Sequence, residues 1–274
     1  MLLKDFADEY CTRVGGSPGY REQLAVLTRR LPWHVEDLSP ERINQYLTAA
    51  LDSLAATTVH NHRRMLNTLY KAAVADGLAE KSTQRIRAVK HFFPPPRAWT
   101  LRELHSLLVT AKSFSGGTRK RPCEYKVLLP AWVLVAYSSG LRRGDMLTVR
   151  WDQLRDDRIC LTQSKTSTVH VCVLDSHAVQ SLKELPRYDM RIFGGIIGRD
   201  QVKVVLRRLI QRAGLCGSGK YLRRSSATYA EMSGMSSTLH LGHRTPGLAY
   251  RHYVDPVIVS EGRKPVPSIP RAVG

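Results

Sequence analysis

Pro94, Pro95 and Pro96 stand in a row between Phe92-Phe93 and Arg97-Ala98-Trp99. Proline has no backbone N–H and a fixed φ, so neither a helix nor an inner strand runs through such a stretch; it reads as a semi-rigid extended spacer. A chain of 274 residues is long enough for two domains with separate cores. The sequence therefore predicts one domain over 1–92, a linker over 93–99, a second domain over 100–256 and a tail over 257–274.

The first domain reads as short amphipathic helices. Leu3, Phe6, Ala7 and Tyr10 recur at helical spacing, as do Leu24, Leu27 and Leu31. Ser39-Pro40-Glu41 has the form of an N-cap followed by proline at the first helical position, opening a helix to residue 51. A longer helix is expected over 57–75, stopped by Asp76-Gly77. It carries His60, His62, Arg63, Arg64 and Lys71, a stripe fit either for solvent or for phosphates.

Beyond the prolines, Thr100-Leu101-Arg102-Glu103 forms a capping box for a helix through residue 108. A basic loop with Gly116-Gly117 and Arg119-Lys120-Arg121 precedes a buried helix over 128–137. The hydrophobic period then shortens, predicting three strands at Val149/Trp151, 159–162 and 169–174, with Ser164-Lys165-Thr166-Ser167 in the second turn. Helical pattern returns over 178–185 and 202–213, and no element is assigned after Pro256. The fold class is thus mainly α with a small antiparallel sheet.

Charge narrows the partner. The net charge is +19, and residues 99–274 hold 28 Lys and Arg against 13 Asp and Glu. A basic field of this size favours a polyanion, most simply nucleic acid. No apolar run approaches the about 18 residues that span a membrane, and no signal-peptide pattern follows Met1. Cys11, Cys123, Cys160, Cys172 and Cys216 are scattered and odd in number, which suits a reducing cytoplasm rather than a disulfide or zinc framework.

Five pieces of sequence then line up. Gly140-Leu141-Arg142-Arg143-Gly144-Asp145 comes first, followed by Lys165 in its strand turn. Lys220-Tyr221-Leu222-Arg223, Leu241-Gly242-His243 and His252-Tyr253-Val254-Asp255 complete the series. In this order the set resembles the signature of the tyrosine recombinase (phage integrase) family. The chain departs from the usual pattern in having Asp145 for Glu, Lys220 for His, and one extra residue between His243 and Tyr253. The resemblance implies an N-terminal helical core-binding (SAM-like) domain and a C-terminal α+β catalytic domain, with no arm-binding domain before them. It implies Arg142, Lys165, Lys220, Arg223, His243 and Tyr253 as catalytic residues. DNA contacts are expected from His62, Arg63, Arg64, Lys71, Arg119, Lys120, Arg121, Arg143, Arg224 and Arg244.

The chemistry suits those residue types. Attack on a phosphodiester adds charge to its nonbridging oxygens, and two guanidinium forks can pair with them. A phenol, with an ordinary pKa of about 10, needs cationic surroundings or a proton acceptor such as His243 or Lys220. The departing 5′ oxygen needs a proton, for which Lys165 on its turn is the candidate. The implied activity is site-specific cleavage and rejoining of DNA strands through a covalent 3′-phosphotyrosyl link, giving integration, excision or inversion without cofactor, metal or ATP. Implied partners are a duplex target site and further copies of the chain, a dimer per site and a tetramer in the synapse.

Other readings stay open. The same chemistry serves a type IB topoisomerase, a catalytically inactive chain would be a sequence-specific DNA-binding protein, and a metal-dependent nuclease is a third class. Tyr250 is the rival nucleophile, three residues before Tyr253. Gly214 to Lys220 mimics a phosphate-binding loop, but Tyr221 stands where Ser or Thr is needed. His60-Asn61-His62 places its histidines on different sides of a helix, and the His240/His243 pair has no third metal ligand beside it in sequence.

Overall fold

The computed structural model describes residues 1–90, 94–118, 121–245 and 247–261. The chain divides into two compact units, Met1–Pro94 and Pro95–Gly274. Among the described residues no helix is long and apolar enough to cross a membrane.

The first unit holds α1 (Leu3–Arg13), α2 (Pro18–Arg29), α3 (Pro40–Leu51) and α4 (Ala56–Ala75). Local chemistry starts two of them: Ser17 and Ser39 accept from the backbone N–H of Tyr20 and Arg42, each with proline at the first helical position. Leu3, Phe6, Leu24, Leu27, Ile43, Leu66 and Leu69 close the core with at most 2% of their surface exposed.

In the second unit, the Thr100–Glu103 capping box is reciprocal and opens α5 (Leu101–Lys112), a full turn longer than predicted. α6 (Tyr125–Ser139) is buried nearly all round and ends at Gly140, whose φ of 60° turns the chain into α7 (Arg143–Thr148). A Cβ at Gly140 would come 2.6 Å from Leu241 Cδ2, so this tight turn and the later Leu241 segment exclude a side chain together.

The sheet has order β1-β2-β3: β1 (Leu154–Arg155), β2 (Arg158–Gln163) and β3 (Thr168–Val173), all antiparallel. The expected first strand at Val149/Trp151 is instead the end of α7, a single antiparallel bridge from Arg150 to Arg191 and a short 3-10 turn at Trp151–Gln153, with the three-stranded sheet starting at Leu154. Buried Val149 and half-buried Trp151 supply side chains to the core without a ladder, which is why their pattern imitated a strand. Ile159, Leu161 and Gln163 face inward on β2, and His170 and Cys172 on β3. Then come α8 (Ser176–Lys183), α9 (Arg199–Arg212), α10 (Lys220–Met232), α11 (Ser237–His240), α12 (Leu248–Tyr253) and α13 (Pro256–Glu261).

The last of these was not foreseen. Asp255 is buried; its Oδ1 accepts from Val257 N at 3.0 Å and caps α13, while its Oδ2 accepts from Ala98 N at 2.8 Å. Ile258 and Val259 are buried, so the second unit extends through Glu261. Residues 262–274 of the expected tail lie outside the described residues. Trp99 is 1% exposed and donates Nε1–H to Cys216 O at 2.9 Å, which sets the end of the proline segment inside the second unit.

Candidate active site

Four parts of the second unit meet at one place: the turn at Gly140, the end of β2, the face of α10 and the segment from Leu241 to α12. Arg223 is on the inner face of α10 and only 5% exposed. Its Nη1 donates to Gly140 O, and its Nη2 to Leu241 O at 3.3 Å and to His243 Nε2 at 2.9 Å. A guanidinium carries only donors, so His243 Nε2 accepts and the ring proton sits on Nδ1. Arg223 Cζ lies 4.9 Å from the centre of the Tyr253 ring, and the His243 and Tyr253 ring centres are 5.4 Å apart.

Arg142, the N-cap residue of α7, joins from the other side. Its Nη1 donates to Gln163 Oε1 at 2.7 Å and stands 3.8 Å from Asp145 Oδ2. Asp145 is fully buried, and its Oδ1 accepts from the N–H and hydroxyl of Ser164 at 3.0 and 2.7 Å. That pins the β2–β3 turn to α7. Lys165, next in the turn, is exposed, as is Lys220 at the first position of α10. Neither touches the Arg223 cluster through a hydrogen bond or ion pair among the described residues.

Tyr253 is held in place by packing. Ala227, Leu241, Ala249, Val254 and Val259 form a small apolar cluster against which Tyr253 rests. Asp255 N donates to Thr228 Oγ1 at 2.9 Å, tying the chain just past Tyr253 to α10. Tyr250 is 39% exposed.

The electrostatics follow from burial and crowding of like charge. Burial, then Arg142, brings the Arg223 pKa down to about 10. Burial, then Arg223 and Arg142, brings His243 down to about 4, so the ring is neutral at pH 7. His240 is also lowered to about 4, first by burial, and its Nε2 lies 2.6 Å from Ser226 Oγ. His243 Nδ1 and Arg223 Nε are buried with no hydrogen-bond partner among the described residues. Two buried donors are thus left unpaired beside two guanidiniums and one carboxylate, Asp145, whose Oδ2 has no hydrogen-bond partner either.

The remaining basic residues divide. Arg64 and Lys71 are exposed on α4, seven residues apart and so near one face. His62 is not on that surface: it is 7% exposed, with Nδ1 2.8 Å from Tyr46 OH and its ring stacked on that tyrosine. Burial lowers its pKa, so this neutral core histidine is no phosphate ligand. Arg63 donates to Arg87 O and Ile86 O, binding the segment after α4. Arg121 is likewise structural, pairing with Asp189 at 2.6 Å and donating to Gly195 O at 2.7 Å. Arg119 and Lys120 lie outside the described residues. Arg143 and Arg244 are exposed, and Arg224 lies over the Tyr221 ring at 5.2 Å.

Gln163 and His170 were not singled out from the sequence. Both are buried, and they account for Gly242. Its φ is +63°, and a Cβ there would lie 2.7 Å from His170 Nδ1 and 2.8 Å from Gln163 Nε2. The glycine before His243 is therefore required by close approach of the β2–β3 hairpin.

No protein-family model matches the chain, and no curated protein sequence matches it. Solved structures do match. A λ integrase dimer bound to a COC′ core site has a TM-score of 0.70 at 19% identity, covering 99% of this chain and 81% of that one. The Tn1549 transposon integrase in complex with a circular intermediate DNA also has a TM-score of 0.70, at 14% identity, covering 89% and 92%. A λ integrase tetramer bound to a Holliday junction has 0.68 at 20% identity, covering 96% and 78%. At these identities the likeness is one of architecture, and it runs through both units: the chain has the fold of the tyrosine recombinases.

Proposed function

We propose that the chain is a site-specific DNA recombinase that breaks and rejoins strands through Tyr253. The observation that carries this reading is the convergence of Arg142, Arg223, His243 and Tyr253, which lie up to 111 residues apart in sequence, around unpaired buried donors. Tyr253 gives up its phenolic proton to solvent as its oxygen attacks a backbone phosphorus. The bond from phosphorus to the 5′ oxygen breaks, and that oxygen leaves with the electron pair and takes a proton from Lys165, which regains one from solvent. Tyrosine becomes esterified to the 3′ phosphate. Reversal by a 5′ hydroxyl of a partner strand restores a phosphodiester, so the bond energy is conserved and no nucleotide hydrolysis is needed.

Arg142 and Arg223 bind the nonbridging oxygens and oppose the charge that grows on them, an effect worth about 3 kcal/mol for one preorganised donor. His243, with a pKa of about 4, is too weak a base to store the phenolic proton in the free protein. Its Nδ1–H instead donates to the phosphate, and the phosphate's negative charge offsets the repulsion from both guanidiniums. Lys165, exposed on a turn that Asp145 holds to α7, protonates the departing 5′ oxygen through its long side chain, and Lys220 contacts the phosphate flank. Arg64, Lys71, Arg143, Arg224 and Arg244 supply duplex contacts. The solved relatives include a DNA-bound dimer and a tetramer on a Holliday junction, which supports the same assembly path here.

The test is a nicked suicide duplex carrying the cognate site, incubated in EDTA. A covalent protein–DNA adduct mapping to Tyr253, absent in Tyr253→Phe and present in Tyr250→Phe, is expected. A gel shift without adduct would leave a DNA-binding protein, and relaxation of plasmids lacking the site would favour a topoisomerase.

A further inference from the structure

We infer that Gln163 is a positioning residue that sets Arg142, the Lys165 turn and the His243 segment in one frame; this rests on the recombinase reading for its catalytic consequence, but not for its effect on anion binding. The side chain of Gln163 has no exposed surface. Its Oε1 accepts from Arg142 Nη1 at 2.7 Å and from Thr166 Oγ1 at 3.2 Å. Its Nε2 donates to Leu241 O at 3.0 Å, the same carbonyl that takes Arg223 Nη2 at 3.3 Å. One amide thus spans the first arginine, the turn that carries Lys165 and the backbone two residues before His243.

Amide chemistry suits the position. An acceptor is needed for a guanidinium and a hydroxyl, and a donor for a carbonyl, on one side chain with no net charge. A carboxylate would compete with the substrate phosphate for Arg142, and an apolar residue would leave both Arg142 and Leu241 O without that partner. Asp145 already supplies the site's carboxylate, its Oδ2 lying 3.8 Å from the same Arg142 Nη1. Arg142 Nη1 is therefore hydrogen-bonded to the neutral amide and only ion-paired at longer range to the carboxylate, and the side chain is still 20% exposed.

The full chain and two variants decide the matter. Gln163→Met keeps the volume and loses both polar arms; Gln163→Glu keeps the acceptor for Arg142 and Thr166 and loses the donor to Leu241 O. Inorganic phosphate is titrated against the Arg142 side-chain NMR signal, assigned with Arg142→Lys. Wild type is expected to bind, and Gln163→Met to bind about 10-fold more weakly; its melting point falls through the lost buried hydrogen bonds, but the protein is still folded at the assay temperature. On the suicide duplex, Gln163→Met slows adduct formation about 100-fold at saturating DNA, the size of a 1 Å misplacement, with unchanged duplex affinity. Gln163→Glu does not restore that rate: it still holds Arg142, but its charge competes with the phosphate and it has no donor for Leu241 O. A Gln163→Met protein with wild-type phosphate affinity overturns the inference, as does wild type that fails to bind phosphate through Arg142. Wild type that binds phosphate but forms no adduct sinks the recombinase reading and leaves the positioning role standing.

Discussion

Arg223 donates through Nη2 to His243 Nε2 at 2.9 Å while the same guanidinium faces the Tyr253 ring at 4.9 Å. One buried cation therefore orients both its neighbours and fixes the histidine tautomer. Lysine cannot reproduce a planar fork that reaches Gly140 O, Leu241 O and His243 together. Arg223→Lys is expected to slow adduct formation by at least about 100-fold. It also lowers stability by about 1–3 kcal/mol, since buried carbonyls lose a donor. Single-turnover cleavage and urea unfolding measure the two effects separately.

Acid should weaken the fold through the same region. The folded-state pKa values of His243 and His240 are lowered from 6.5 to about 4. Between those values the unfolded chain binds more protons than the folded one, so stability is present above 6.5 and falls as pH drops towards 4. Each histidine contributes a slope of up to about 1.4 kcal/mol per pH unit in that window. Urea midpoints at pH 7 and pH 5 should differ, and replacing both histidines with glutamine should flatten the difference. An unchanged slope in the double variant would show the histidines to be uninvolved.

Gly242→Ala should damage fold and site together. The alanine Cβ meets His170 Nδ1 and Gln163 Nε2 below 3 Å and carries a φ of +63°. Left-handed backbone costs about 1 kcal/mol for a residue with Cβ, and overpacking adds about 1–3 kcal/mol. Thermal melts and the adduct rate check it.

Duplex binding should separate structural from surface arginines. Arg64→Ala and Lys71→Ala each remove an exposed cation and should reduce the salt slope of binding by about 1. Arg121→Ala should lower stability slightly, because its partners Asp189 and Gly195 O are within the fold, and leave the salt slope unchanged. Binding titrations across a salt series read both.

What was legible in the sequence was local or periodic. The Ser39 and Thr100 caps are contacts three residues long, so they appear in sequence as they do in space. The inward alternation of Ile159 and Leu161 announced β2, and helical spacing announced α1 to α4. His62 misled because a histidine among arginines reads as a solvent face, and only Tyr46 across the bundle turns it inward. Arg121 pairs with an acid 68 residues away, a partner that no local pattern names.

Residue order alone determined most helices, the hairpin and the types of side chain able to handle a phosphate, because each depends on near neighbours or on charge. Tertiary structure decided which of those side chains come together: Gln163 meets Leu241 across 78 residues, and Arg223 reaches Gly140 across 83. Such pairings arise when α10, the hairpin and the Leu241 segment pack against a common core. Burial there strips water from the donors and acceptors, so each must find a partner that no local pattern names.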